Sequence, residues 1–203
     1  MTLPLYLAFI AAAVFLLLIP GPTVLMVVGY GLAEGRKNSW PLVVGVALGD
    51  AVALTCSVAG LGAVLAASAS AFTILKYIGA IYLVYLGIGM IRSGTAAAPK
   101  LTASSPRRKF IHAFAVTAAN PKCILFFVAF LPQFISHDAP AGPQLLLLGV
   151  TFVILSAVNA ASFSFLSGAA GSRIQDPRFM RKLKGVGGSV MVGAGVLTAA
   201  ARQ

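Results

Sequence analysis

One carboxylate, Asp50, stands deep in an apolar stretch of this 203-residue chain, and one ammonium, Lys122, stands in another. A charged side chain at the centre of a bilayer costs about 2.5–3.5 kcal/mol on insertion scales, and such groups mark ion or substrate paths. Asp50 therefore offers a reversible proton site or a counter-charge for a cation. Pairing with a basic residue to hold helices together is the plainer role. Lys122 can satisfy freed carbonyls, neutralise Asp50 or meet a carboxylate, and a buried charge must find some such partner. Asn159, able both to donate and to accept, lies in a third apolar run, where mid-span amides also serve simply to join helices.

Two proline-bearing breaks accompany these groups. Pro20-Gly21-Pro22 interrupts an uncharged run from Thr2 to Ala33 that is too long for one span, and Asn120-Pro121-Lys122 interrupts a later one. Proline removes a backbone donor and obstructs the preceding turn, so a helix kinks or breaks there. Broken backbone at membrane depth is tolerated only where protein or a water-filled cavity receives the freed polar groups. Each break is thus a candidate binding site. Thr23 is placed to cap the half-helix that follows Pro22, whose amides and dipole would suit a carboxylate, and Asn120 is placed to do the same ahead of Pro121.

The elements that must carry these residues follow from composition. The chain is 59% hydrophobic and 9% charged, with mean hydropathy +0.96, against about 25% charged residues in a soluble domain. At about 20 apolar residues per span there is room for about six spans and no separate soluble domain. They are expected at 3–28, 41–66, 72–91, 110–135, 143–171 and 185–201, in a single transmembrane domain over 1–203. Its halves are 1–92 and 110–203, joined by a linker over 93–109. An uncharged turn is expected over 67–71. Trp40 reads as an interfacial anchor, Lys76 as snorkelling to the interface, and Tyr77, Tyr82 and Tyr85 as packing or belt residues.

The net charge of +11 does not describe a nucleic-acid face. Of the fifteen Lys and Arg, twelve fall in the first, third and fifth loops. That asymmetry places those loops in the cytoplasm and both termini outside. Only Met1 and Thr2 precede the first apolar run, so it reads as a retained span rather than a cleaved signal. Cys56 and Cys123 belong to no metal-binding spacing and read as small buried side chains. His112 and His137, near span ends, read as solvated. No nucleophile–base pair, phosphate loop or metal motif is present, which excludes a recognisable enzyme, and no cofactor is expected.

An internal repeat supports a two-part architecture. Leu75-Lys76 matches Leu183-Lys184, Gly79 matches Gly187 and Gly87 matches Gly195, all at an offset of 108 residues. The same offset brings Asp50 within one residue of Asn159. Three spans per half force the second half to insert inverted, with the substrate site where the broken helices meet at the midplane. The expected fold is therefore an all-α membrane protein of six transmembrane helices in a 3+3 inverted repeat, with helices 1 and 4 broken at the proline motifs.

These strings are together similar to the signatures of a known family. PGPTVLMVVGYGLAEGRKNSWPLVVGVALGD, with its Gly35-Arg36 and Gly49-Asp50 pairs, LKYIGAIYLVYLG, and NPKCILFFVAFLPQF resemble, in order, three motifs of the lysine exporter and homoserine/threonine exporter (LysE/RhtB) family. The resemblance implies a six-span bacterial inner-membrane exporter of amino acids or close derivatives, driven by the proton gradient, and it allows a homodimer. By position it makes Pro20, Gly21, Pro22, Asp50, Asn120, Pro121 and Lys122 signature residues. Thr23 departs from it, since many members have Asn or Asp there. The motifs do not sort basic, neutral and branched substrates.

The resulting expectation is proton antiport. The substrate carboxylate binds at the half-helix termini after Pro22 and around Asn120, and its ammonium competes with a proton for Asp50. Lys122 and Asn159 complete the candidate set. Two other classes fit the residues less fully: a membrane binding or assembly protein with no transport cycle, and an inorganic cation exporter, for which the ligand set is sparse.

Overall fold

Pro20 and Pro22 decide how the chain begins. The computed structural model describes residues 1–34, 39–67, 69–92, 101–136, 138–174 and 177–200, and every regular element among them is helical. Helix α1 (Leu3–Leu18) stops because the residue before a proline is pushed out of the helical region. Ile19 is accordingly extended, at φ −68° and ψ 120°. Helix α2 (Pro22–Glu34) restarts with Pro22 as its first residue, where a missing N–H costs nothing. The pair is bent by 55° and reads as one broken span.

The second break is milder. Helix α5 (Pro106–Ala118) ends at Ala119, Asn120 is extended at φ −72° and ψ 108°, and Pro121 opens α6 (Pro121–Leu125). The chain then loosens into a π-helical turn over Phe126–Phe130 and a 3-10 turn over Leu131–Phe134. Even so, Pro106–Phe134 continues as one stretch long and apolar enough to cross a membrane. One proline gives a local interruption here, where two around a glycine give a sharp bend.

Helices α3 (Trp40–Ala67) and α7 (Ala141–Ile174) also contain membrane-length apolar stretches, at Trp40–Gly62 and Ala141–Ser167. With the bent pair counted as one, the described residues hold four candidate spans. Helices α4 (Ala69–Arg92) and α8 (Pro177–Ala200) coincide with the third and sixth expected spans. Helix α4 begins inside the turn expected over 67–71, and α5 begins inside the linker expected over 93–109. The Gly35-Arg36 pair, Lys37, Lys100, His137 and Arg202 lie outside the described residues, as do the side chains of Lys76, Arg173, Arg178 and Lys184.

Small residues bring the helices together. A Cβ at Gly49 of α3 would stand 2.8 Å from the Thr117 Cβ of α5, and one at Gly87 of α4 would stand 2.5 Å from the Gly188 carbonyl of α8. Without a hydrophobic drive between helices in lipid, the van der Waals packing that such close backbone approach allows is one source of association. The broken first span packs on α7, and the interrupted fourth packs on α3. A phenylalanine cluster closes one end. Phe127 meets Phe152 edge-on at 4.7 Å and Phe9 meets Phe134 at 5.4 Å, tying α1, the π and 3-10 turns, and α7.

Candidate functional site

Stopping α1 at Leu18 leaves the carbonyls of its last turn without intrahelical partners. Side chains from the second half of the chain take them. The Lys122 ammonium donates to the Leu16 carbonyl at 2.9 Å and to the Ile19 carbonyl at 3.0 Å. Asn159 Nδ2 donates to the Leu17 carbonyl at 3.2 Å. Gly21 packs against the same side chain, and a Cβ there would meet Lys122 Nζ at an ordinary contact distance of 3.5 Å. Of the three roles open to Lys122, satisfying freed carbonyls is the one its geometry displays.

The second break is satisfied locally and then tied to the first. Asn120 Oδ1 accepts from the Lys122 amide at 3.1 Å, the cap expected of it. Its Nδ2 donates to Thr23 Oγ1 at 3.1 Å, and the Thr23 and Thr117 hydroxyls are 3.3 Å apart. Thr23 is therefore not the cap expected after Pro22. The helix begins at Pro22 itself, Leu25 N bonds the Gly21 carbonyl at 2.9 Å, and Thr23 in the first turn turns its hydroxyl across to the other break. The prolines act through the backbone: Pro20 is buried, whereas the rings of Pro22 and Pro121 are exposed.

Asp50 of α3 is 1% exposed. The Ser156 hydroxyl of α7 donates to its Oδ2, the Cys123 thiol lies against it, and the Lys122 charge is within electrostatic reach. Its Oδ1 is buried with no hydrogen-bond partner. Nearly all buried polar atoms are paired, and leaving one unpaired costs about 1–3 kcal/mol or more for a charged group. A bare carboxylate oxygen is an acceptor suited to a proton or an ammonium.

All nine expected residues thus fall around one junction. Pro20, Gly21, Pro22 and Thr23 supply one break, and Asn120, Pro121 and Lys122 the other. Asp50 and Asn159 enter from α3 and α7. Three contributors were not expected. Ser156 precedes Asn159 by three residues within α7, a spacing that puts the pair on one helix face and could have found it, whereas Thr117 belongs to the last turn of α5 and Asn120 lies beyond that helix. Of the two cysteines read as small buried side chains, Cys123 is buried but touches the carboxylate, whereas Cys56 is exposed on the outer face of α3.

A second polar layer joins the C-terminal end of α2 to the start of α5. Lys109, 2% exposed, pairs with Glu34, whose Oε1 also accepts from the Ser104 amide at 2.9 Å. One turn nearer the break, the Tyr30 hydroxyl meets His112 Nδ1 at 3.1 Å, so His112, although exposed, has a partner. Among the described residues no three His, Cys, Asp or Glu side chains gather as a metal site would require.

Residues 14–202 match the family model described as LysE type translocator. Over the full length of both proteins the chain is 34% identical to an uncharacterized membrane protein of Vibrio cholerae. It is 33% identical to the leucine efflux protein of Klebsiella pneumoniae, over 92% of this chain and 88% of that one. It is 31% identical to the homoserine/homoserine lactone efflux protein of Salmonella typhimurium, over the whole of both. No solved structure matches the chain.

Proposed function

Because the chain belongs to the LysE type translocator family, we propose that it exports an amino acid or a close derivative across the bacterial inner membrane in exchange for protons. The names of its leucine and homoserine/homoserine lactone efflux relatives support the substrate class. The observation that carries the mechanism is the buried Asp50, with one oxygen held by Ser156 and the other bare, beside the junction of two helix breaks.

In this mechanism one carboxylate serves two ligands. The substrate ammonium and a proton compete for Asp50 Oδ1, so loading one from one side requires release of the other. The substrate carboxylate binds at the breaks, where Thr23 and Asn120 bring a hydroxyl and an amide together and the start of α2 offers its positive dipole end. Lys122 is held by α1 carbonyls, so its first role is to keep the break open.

The six-span inverted repeat belongs to the same proposal. Exchanging the halves leaves the packing pattern unchanged: α4 lies on α8, α3 on α7, and each interrupted span on the second helix of the opposite half. Asp50 from α3 stands at the second break and Asn159 from α7 at the first. In inverted-repeat transporters the midplane site lies where such discontinuous helices meet.

Proteoliposomes preloaded with candidate amino acids and given a proton gradient test the mechanism. Asp50→Asn is expected to lower gradient-driven efflux roughly tenfold or more, the kinetic equivalent of about 1.4 kcal/mol, while the protein still reconstitutes. Unchanged efflux in this variant would rule out Asp50 as the exchange site. Cells expressing the chain, challenged with inhibitory amino acids or analogues, would identify the substrate by selective tolerance.

A further inference from the structure

The Lys122 ammonium sits where a transporter of this architecture could hold a metal cation. Unwound carbonyls and half-helix C-terminal ends coordinate sodium or protons in secondary transporters. Such ends carry the negative pole of the helix dipole. Here that end is α1, and the two carbonyls that would face an ion, those of Leu16 and Ile19, accept instead from Lys122 Nζ at 2.9 and 3.0 Å. Asp50 adds a full negative charge within electrostatic reach of the same ammonium, with Oδ1 unpartnered. The Leu16 and Ile19 carbonyls are hard oxygen donors, the type that hard cations prefer, and the Asp50 carboxylate stands farther out as a counter-charge.

We propose that this is a monovalent metal-cation site permanently filled by the chain's own ammonium, so that the transport cycle runs without a metal ion and deleting the ammonium opens a sodium site. The statement about transport rests on the exporter reading, whereas the site itself does not. Lys122 is then a positioning residue: it supplies the charge that keeps the α1 carbonyls apart from α2, and it delivers that charge without drawing on an ion gradient.

The test is thermal unfolding of the purified full chain in sodium, potassium or choline chloride at equal ionic strength. The wild type and Lys122→Arg, which keeps a cation, are expected to unfold at one temperature in all three salts. Lys122→Ala and Lys122→Met are expected to gain about 5 °C or more in sodium over choline at a hundredfold excess above the dissociation constant. Equal midpoints for both variants in every salt would overturn the proposal, as would sodium stabilisation of the wild type. So would failure to recover either variant from sodium-rich buffers, since a filled site would support the fold. Lost efflux together with an intact sodium response would leave the site standing and count only against the exporter reading.

Discussion

Ser156 holds one oxygen of Asp50 and leaves the other bare. Removing the hydroxyl leaves a buried carboxylate with neither oxygen satisfied by it, at a cost of about 1–3 kcal/mol. Ser156→Ala is therefore expected to lower the unfolding midpoint by several degrees. In an Asp50→Asn background the same change is expected to cost less than half as much, because the charge it serves is gone. Additive midpoints in that double-variant cycle would show that the two side chains do not act together. Asp50 and Lys122 were legible in the sequence because charge in an apolar run is expensive and demands a reason. The partner of Lys122 was not legible: cost fixes that a partner exists, and only the fold selects the carbonyls of Leu16 and Ile19 over the Asp50 carboxylate. Thr23 was misread because the cap position was counted from the proline motif, whereas Pro22 is itself the first residue of α2.

The helices pack through positions where a side chain would collide. At Gly49 a Cβ would meet the Thr117 Cβ at 2.8 Å and the Phe114 carbonyl at 2.9 Å, and neither can yield without moving α5. Gly49→Val is expected to destabilise the protein by about 1–3 kcal/mol through overpacking. It is also expected to weaken efflux, since Asp50 follows directly and Thr117 belongs to the junction. An unchanged unfolding midpoint would contradict this packing. Helix ends were largely legible from apolar run lengths and prolines: α3, expected over 41–66, spans Trp40–Ala67. The π and 3-10 turns over Phe126–Phe134 were not legible. Pro132, which has no N–H to give the preceding turn, marks an irregularity in this string, but nothing in the residues before it distinguishes a five-residue hydrogen-bond spacing from a four-residue one.

At the scale of the whole molecule, the basic loops carry the proposed orientation, which the proposed repeat would share. If the odd-numbered loops face the cytoplasm, a cysteine introduced at Asp138 will react with an impermeant maleimide applied to intact cells with a permeable outer membrane. One introduced at Ser105 will react only after the inner membrane is opened. The reverse pattern would invert the topology drawn from the positive-inside rule. The glycines whose offset of 108 residues suggested a repeat are contact points between helices. Gly87 and Gly195 both line the α4–α8 interface, whereas Gly187 faces Ile19.

The two ends of the molecule are closed by different materials. Beyond the first break, α2 and α5 are joined by the Glu34–Lys109 ion pair; at the far end of the same spans, Phe9 and Phe134 meet with Phe126 between α1 and α7. Charges drawn apart into water are eased by dissolved ions, which screen them. Aromatic rings drawn apart into water are opposed by strongly hydrated salts such as sulfate, which favour apolar burial. If the proposed exporter opens one end at a time, salt acts on it with a sign that depends on which end opens, and the ionic composition on each side of the membrane becomes a lever on the direction in which it rests.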